Sequence, residues 1–314
     1  MAVSESDVSI LIPSYRRPEM TLRALQSACQ TGAGEIIVSD DASGDGTVEA
    51  IRTVRDDRLQ VVIQPRNLGL WKNHLALLKM ASRPWIKFIQ NDDRIEPGGL
   101  ATLVSHADDK TTLVGALGIY ENSVTGEKRS MFSLAAPRRW TSDEYMVHAL
   151  RVNNELGTPS DVLYRRETMD FSDDTWQNDR SMDLVCNILA ASRGEVVLLP
   201  PGPIVTLDHP GRDSHVAGLD LWFKRLISSL RFFHAQPDPR IRRFARVLGV
   251  SEAIGSTTML LGLLRRGKFS QVTYPVYFAR VMMMSGSLSL LRDLPMVYHQ
   301  LVRRYRPWGS PIAP

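Results

Sequence analysis

Cysteine is nearly missing from this 314-residue chain, and Cys29 and Cys186 are its only two. Two such thiols imply no disulfide framework, and a reducing cytosol is the expected compartment. The opening MAVSESDVSI has neither a basic stretch nor a long apolar run before the first strand, so no secretory signal is read there. His74, His106, His148, His215, His234 and His299 show no metal-like spacing. Internal repeats and low-complexity tracts are also missing. No Gly-rich, Lys-containing phosphate loop follows the first strand, where IPSYRRPEM stands, which counts against a nucleotidyltransferase on a related sheet. No nucleic-acid module is recognisable, so no nucleic-acid partner is expected.

What is present is ordinary for a globular protein, with 43% hydrophobic and 23% charged residues. The length is ample for a buried core and suits one large domain with an appendage, or two domains. The net charge of +4 hides an asymmetry. Residues 1–214 carry 23 Lys/Arg against 30 Asp/Glu, whereas residues 215–314 carry 15 against 4. An acidic part followed by a basic part suggests different partners for each.

Strand and helix patterns alternate through the first hundred residues. VSILIPSY, EIIVSDD, LQVVIQP and PWIKFIQNDD read as strands. PEMTLRALQSACQ, GTVEAIRTVR and LGLWKNHLALLKMA read as helices, the first with Pro18 near its start. This alternation predicts a parallel, doubly wound sheet. Further on, EPGGLATLVSHADD is a short helix and TLVGALGIYENS a strand. TSDEYMVHAL is a helix capped by Thr141 or Ser142, and DDTWQNDRSMDLVCNILAA leads into another. EVVLLPPGPIVTLDH is strand-like. Two acidic pairs stand at strand ends, Asp40–Asp41 and Asp92–Asp93. Open α/β sheets bind ligands at such carboxyl ends. Ser43, Asp45 and Gly46 shape the turn after the first pair. Lys87 lies on the strand leading to the second pair, and alternation alone leaves its face open.

Four segments, ILIPSYRRPEMTLRALQSA, IIVSDDASGDGT, NLGLWKNHLALLKMASRPWIKFIQNDDRI and LDHPGRDSHV, resemble in order and spacing the family 2 glycosyltransferases of the GT-A fold. The resemblance covers about the first 215 residues. It implies an α/β fold: a GT-A type doubly wound, mixed but mainly parallel sheet with a helical C-terminal extension. Residues 1–215 would form the sugar-nucleotide-binding and catalytic domain. Residues 216–314 would form a basic, mainly helical region for membrane-surface or oligomer contact.

Breaking a sugar–phosphate bond leaves a charged nucleoside diphosphate, which a divalent cation neutralises. Mg²⁺ or Mn²⁺ takes oxygen ligands and needs only one or two protein carboxylates. The resemblance assigns that role to Asp93, with Asp92 on the ribose or a metal-bound water. Asp41 matches the carboxylate that accepts a base N–H. Pro13, Ser14, Tyr15 and Arg17 would lie beside the base, and Arg66 and Asn67 in the loop beside the nucleotide. His209 matches a histidine that approaches the metal or diphosphate. The family places Arg two residues earlier, where this chain has Leu207, and Arg212 is the substitute in reach. Gly157-Thr158-Pro159-Ser160 resembles a loop touching donor sugar or acceptor. Inverting transfer also needs a carboxylate base. Asp179 is the first choice, and Asp183, one turn later on the same face, is its rival.

In the basic third, Leu219, Trp222, Phe223, Leu226, Ile227 and Leu230 recur at helical spacing between Lys224, Arg225 and Arg231. TYPVYFARVMMMSGSLSLL approaches spanning length but holds Arg280 and Pro275. The expected function is therefore a metal-dependent inverting glycosyltransferase. It would move a sugar from a UDP-sugar or similar donor to a polysaccharide, glycolipid or glycoconjugate hydroxyl. The C-terminal helices would touch the cytoplasmic membrane face or a second copy of the chain. The rival class is a non-catalytic sugar-nucleotide-binding subunit.

Overall fold

The computed structural model describes residues 2–130, 132–152, 155–211, 219–265, 290–304 and 310–311. Its strands are β1 (Val8–Ser14), β2 (Glu35–Asp40), β3 (Leu59–Ile63), β4 (Trp85–Phe88), β5 (Asp93–Ile95), β6 (Thr111–Ala116) and β7 (Ile119–Asn122). They continue with β8 (Lys128–Ser130), β9 (Phe132–Ser133), β10 (Arg138–Trp140), β11 (Val162–Arg165), β12 (Glu195–Leu199), β13 (Ile204–Asp208) and β14 (Ser310–Pro311). The helices are α1 (Pro18–Cys29), α2 (Thr47–Arg52), α3 (Leu70–Met80), α4 (Gly99–Val104), α5 (Ser142–Val152) and α6 (Met182–Ala191). The basic third adds α7 (Leu219–Ala235), α8 (Pro239–Arg265) and α9 (Leu290–Arg304).

The large sheet has eight strands in the order β10-β12-β6-β11-β4-β1-β2-β3. β4, β1, β2 and β3 are mutually parallel, as the strand–helix alternation predicts. β11 then runs antiparallel between β4 and β6. β1 is buried along its whole length, which is why VSILIPS reads as a continuous apolar run instead of an alternating one.

Three segments expected as single strands each break in two. PWIKFIQNDD stops as β4 at Phe88 and its last residue, Asp93, opens β5, while TLVGALGIYENS divides into β6 and β7 and EVVLLPPGPIVTLDH into β12 and β13. In each case the first half pairs in the large sheet, and the second half crosses into a four-stranded sheet ordered β5-β13-β7-β8. Each break has a local cause. Asp93 N–H closes a turn onto Gln90 O at 2.9 Å, Gly118 separates β6 from β7, and Pro200, Pro201 and Pro203 separate β12 from β13. Proline cannot donate to a ladder, so the run through 200–203 cannot remain a central strand.

The C-terminal helices are part of the same core. Leu226, Ile227, Leu230 and Phe233 of α7, with Ile241, Phe244 and Leu248 of α8, join one apolar cluster with Leu11, Leu113 and Tyr164 from the sheet. Polar contacts reinforce the packing. Gln300 of α9 donates to Leu150 O at 3.0 Å, and Arg243 pairs with Asp293 at 2.7 Å. Among the described residues no helix is long and apolar enough to cross a membrane. The run from Thr273 to Leu291 lies almost entirely outside them.

This shared core has a testable consequence. Phe233 is fully buried and meets Phe244 edge-on at 5.8 Å. Phe233→Ala should cost about 3–5 kcal/mol, seen in urea as one cooperative transition moved to lower concentration. A separate early transition, with the main one unmoved, would instead make the C-terminal helices a unit of their own.

Candidate active site

The first strand end sets up one wall. After Ser14 the backbone of Arg16 and Arg17 turns left-handed, with φ of 53° and 73°. Such values are uncommon for residues with a Cβ and cost about 1–3 kcal/mol each. The turn is held by Arg16 N–H donating to Ser43 Oγ at 2.7 Å, while Ser43 is itself bound to the Asp40 carboxylate. Asp40 is thus occupied with its own loop. Asp41 faces the cavity, as do Pro13, Ser14 and the exposed ring of Tyr15.

Asp41 also fastens the next loop. Its carboxylate accepts the N–H groups of Leu68 at 2.6 Å and Gly69 at 2.9 Å, and Asn67 Nδ2 donates to its backbone oxygen at 3.3 Å. Gly69 adopts φ 83°, and a Cβ there would lie 2.4 Å from Asn178 Nδ2. The Asn178 side chain needs that space. It donates to Leu68 O at 2.9 Å and accepts Trp71 N–H at 2.9 Å, which caps α3 from a distant segment. Sequence reading missed Asn178, because no spacing sets it apart from the polar residues around it. Arg66 is exposed and is not among the cavity-lining residues.

The second acidic pair sits where the chain leaves β4 for β5. Pairing of β5 with β13 is antiparallel, with Asp93 opposite Thr206. That register carries the residue after β13, His209, back to the pair, and Leu207 N–H donates to Asp92 O at 3.1 Å. His209 Nε2 lies 3.2 Å from Asp92 Oδ2, and Arg17 Nη1 lies 3.4 Å from the same oxygen. Arg17 also donates to Gly211 O at 2.6 Å. Arg17, Asp92 and His209, far apart in the chain, therefore form one cluster beside the buried Asp93. Arg212 and the rest of its loop lie outside the described residues.

Lys87, whose face the sequence left open, points inward and is fully buried. Its amine donates to Ser160 O, and to Val162 O at 3.3 Å. Gln90 N–H donates to Ser160 Oγ at 2.9 Å. Together these bonds fasten the turn over Pro159–Asp161 to β4, and Thr158 and Pro159 line the cavity. Burial pushes the Lys87 amine down to about 7, against the pull of the Asp161 and Asp93 carboxylates.

The two carboxylates named as candidate bases, Asp179 and Asp183, take different places in the structure. α6 begins at Met182 with Ser181 as N-cap, later than the sequence suggested. Asn178 is bound to the α3 loop and Arg180 N–H closes a turn onto Gln177 O at 3.2 Å, so residues 177–180 form a turn instead of helix. Asp179 falls on that turn, exposed and outside the cavity lining. Asp183, in the first turn of α6, lines the cavity. Burial raises its carboxyl above the ordinary range, opposed by N–H groups at the helix start and by the Arg225 guanidinium. Trp222 and Arg225 of α7 also line this cavity. Their helical spacing was visible in the sequence, yet it reads equally well as packing.

The cavity measures about 910 Å³, enough for a nucleotide with an attached sugar. Among the described residues no three His, Cys, Asp or Glu side chains gather as a ligand set. Asp92 and Asp93 are consecutive, both line the cavity, and each carries hard oxygen donors. That suits a cation of the Mg²⁺ or Mn²⁺ kind, which takes its remaining ligands from phosphates and water.

Comparison with known proteins agrees with this geometry. A model of glycosyl transferase family 2 matches residues 9–170. The succinoglycan biosynthesis protein ExoO of Rhizobium meliloti is 28% identical over 131 residues, 41% of this chain and 38% of that protein. A GalNAc(5)-diNAcBac-PP-undecaprenol beta-1,3-glucosyltransferase of Campylobacter jejuni is 30% identical over 107 residues, 32% of this chain and 35% of that protein. The matches to these two thus span little more than a third of each relative's length. The solved structure of S. aureus TarS residues 1–349 with UDP-GlcNAc superposes with a TM-score of 0.66 at 15% identity, covering 94% of this chain and 88% of that one. At that identity the likeness speaks for the fold, which is GT-A.

Lys87 carries a pH signature. A free lysine titrates near ~10.4, so between about 7 and 10.4 the unfolded chain binds more protons than the folded one. Stability contributed through this group must therefore rise with pH across that window. The unfolding free energy of the wild type minus that of Lys87→Met should climb from neutral pH toward pH ~10 and stay level below ~6.5. A difference that ignores pH throughout would refute a buried, shifted amine.

Proposed function

The chain belongs to glycosyl transferase family 2, and from that membership we propose a metal-dependent, inverting transfer of a sugar from a nucleoside-diphosphate sugar, UDP-linked, to an acceptor hydroxyl. The acceptor class is a saccharide or lipid-linked saccharide. One observation carries this reading: Asp41, Asp93 and Asp183, from three remote segments, line a single cavity large enough for the donor.

Each wall then has a role. Tyr15 offers a ring to the base, and the Asp41 carboxylate, already fixed by Leu68 and Gly69 N–H, accepts the imide N–H of uracil. Arg17, anchored on Gly211 O and Asp92, brings positive charge to the diphosphate end. Asp93, with Asp92 and His209 beside it, would hold a divalent cation, which when bound neutralises charge on the departing diphosphate. Asp183 replaces Asp179 as the proposed base. It takes the proton from the acceptor hydroxyl as the oxygen attacks the anomeric carbon. The carbon–phosphate oxygen bond breaks on the opposite face, and the configuration inverts. A raised carboxyl pKa makes Asp183 a better proton acceptor than a solvated aspartate. The UDP-GlcNAc complex of TarS and the undecaprenol-linked acceptor in the Campylobacter enzyme's name support the donor and acceptor classes.

Two measurements test this. A saturating UDP-, GDP- or dTDP-sugar should raise the thermal midpoint, further with Mn²⁺, and Asp93→Asn should lose only the Mn²⁺ increment. No shift with any donor would sink the reading. Asp183→Asn should keep the donor shift while nucleoside diphosphate release in the presence of acceptor drops by roughly 10²–10⁴. Because burial raises the Asp183 pKa, the folded state resists its charge from the ordinary carboxylate range upward. The Asn variant should accordingly melt higher at neutral pH. Asp179→Asn should turn over like the wild type, and loss there instead would return the base to Asp179.

A further inference from the structure

The large sheet has two edges, β10 and β3, and they are built differently. β10 carries Arg138 and Arg139 among its three residues, and charge on an edge discourages pairing with another chain. β3 reads Leu-Gln-Val-Val-Ile, with no charged residue, no proline and an unbroken register against β2. It has none of the usual protection of an edge strand.

The bonds to β2 fix which way its main chain points. Ile36 N–H donates to Arg58 O at 3.1 Å, and Gln64 N–H donates to Asp40 O at 2.8 Å. Main-chain groups of successive strand residues address opposite sides, so the even positions from 58 to 64 turn to β2 and Leu59, Val61 and Ile63 turn outward. Leu59 N–H is bonded to Asp56 O at 3.0 Å. Among the described residues no strand pairs with this outward side. The side chains of the same three residues share one face of the sheet. Leu59 and Val61 pack, partly buried, against the core on that face, and Ile63 is 46% exposed.

Outward residues spaced evenly about Val61 make the edge complementary to itself. Laid antiparallel to its own copy across a two-fold axis at Val61, β3 sets Val61 against Val61 and Leu59 against Ile63. Val61 N–H then donates to Val61 O in both directions, and Ile63 N–H donates to Leu59 O. Moving the axis to Val62 would set Leu59 against Pro65, which has no N–H, and moving it to Gln60 would set Ile63 against Asp57. With the axis at Val61 one face becomes a cross-strand row of leucine, valine and isoleucine, a favourable set of pairs. At each end the turn at Asp56–Asp57 comes level with Arg66 of the other copy, and Arg58 with Gln64. Opposite charges meet there and like charges do not. Asp57 and Arg66 are both exposed, and this contact gives Arg66 a place that the cavity does not.

We propose that two copies of this chain join edge to edge through β3, as one continuous sheet about a two-fold axis at Val61. The pairing does not rest on the glycosyltransferase reading, because no residue of β3 lines the cavity.

Sedimentation of the full chain at rising concentration should show a monomer–dimer equilibrium, with a thermal midpoint that climbs with concentration. Val61→Pro removes an outward N–H, a change that an edge strand tolerates, and Ile63→Lys places charge opposite Leu59. Each variant should sediment at half the wild-type dimer mass, with a midpoint independent of concentration. Ile63→Lys decides the matter should Val61→Pro fail to fold. Val61→Cys should form a disulfide across the axis on mild oxidation, because directly opposed residues of this kind lie about 5.5 Å apart at Cα. Gln60→Cys, opposite Val62, should not. A wild type that stays monomeric at every concentration would overturn the proposal and leave the edge to a strand of another protein. A dimer that survives both edge variants, or cross-linking at position 60 in preference to 61, would overturn it too. So would an assembly larger than two, since pairing about a two-fold axis closes at the dimer.

Discussion

The buried amine of Lys87 stands where the sheet changes character. β4 pairs parallel with β1 on one side, with Lys87 opposite Ile10. On the other side it pairs antiparallel with β11, with Lys87 opposite Leu163. Ligands of open α/β sheets gather where the strand order reverses, which here is between β4 and β1, since β2 and β3 lie on the other side of β1. A charge-bearing side chain is costly in a dry interior unless its hydrogen bonds are met. Here Ser160 O and Val162 O meet them, and the Asp93 and Asp161 carboxylates supply opposite charge. One side chain thereby ties the acidic pair's strand to the turn at Pro159–Asp161, so both walls of the cavity share one support.

The second constraint is the breaking of three strands at one level. β5, β7 and β13 continue their parent strands into a smaller sheet. The four-stranded sheet brings His209 onto Asp92 across more than a hundred residues of chain. The left-handed turn at Arg16–Arg17 completes the same cluster from the first strand end. Backbone strain, a half-buried carboxylate at Asp183 and a buried lysine all collect around one cavity. Each lowers stability locally, and the apolar core that includes α7 and α8 offsets them.

The C-terminal third is then more than an appendage. Its charge differs sharply from that of the rest of the chain, and among the described residues two of its arginines tie the helices to their surroundings. Arg240 bonds Asp238, Asp143 and Ser192 O, and Arg243 bonds Asp293. α7 meets α6 through Ser229 and Phe232, so the element carrying the third carboxylate depends on a helix some forty residues further along the chain.

Much of this was legible in the residues themselves. Continuous apolar strands, helical periodicity and two acidic pairs at strand ends determined the α/β class, the parallel half of the sheet and the positions of Asp41 and Asp93. Those signals are local: side-chain alternation and chain turns act over a few residues, so they are written in sequence spacing. What only the tertiary structure decided depends on contacts between remote segments. Asn178 seated on Gly69 delays the start of α6 and leaves Asp183 in the cavity instead of Asp179. The antiparallel register of β5 with β13 delivers His209. Packing of α7 turns Trp222 and Arg225 toward the cavity, where periodicity alone could not distinguish a wall from a core. A helix's apolar stripe fixes which side is buried, but the surface that covers it exists only once the rest of the chain has folded.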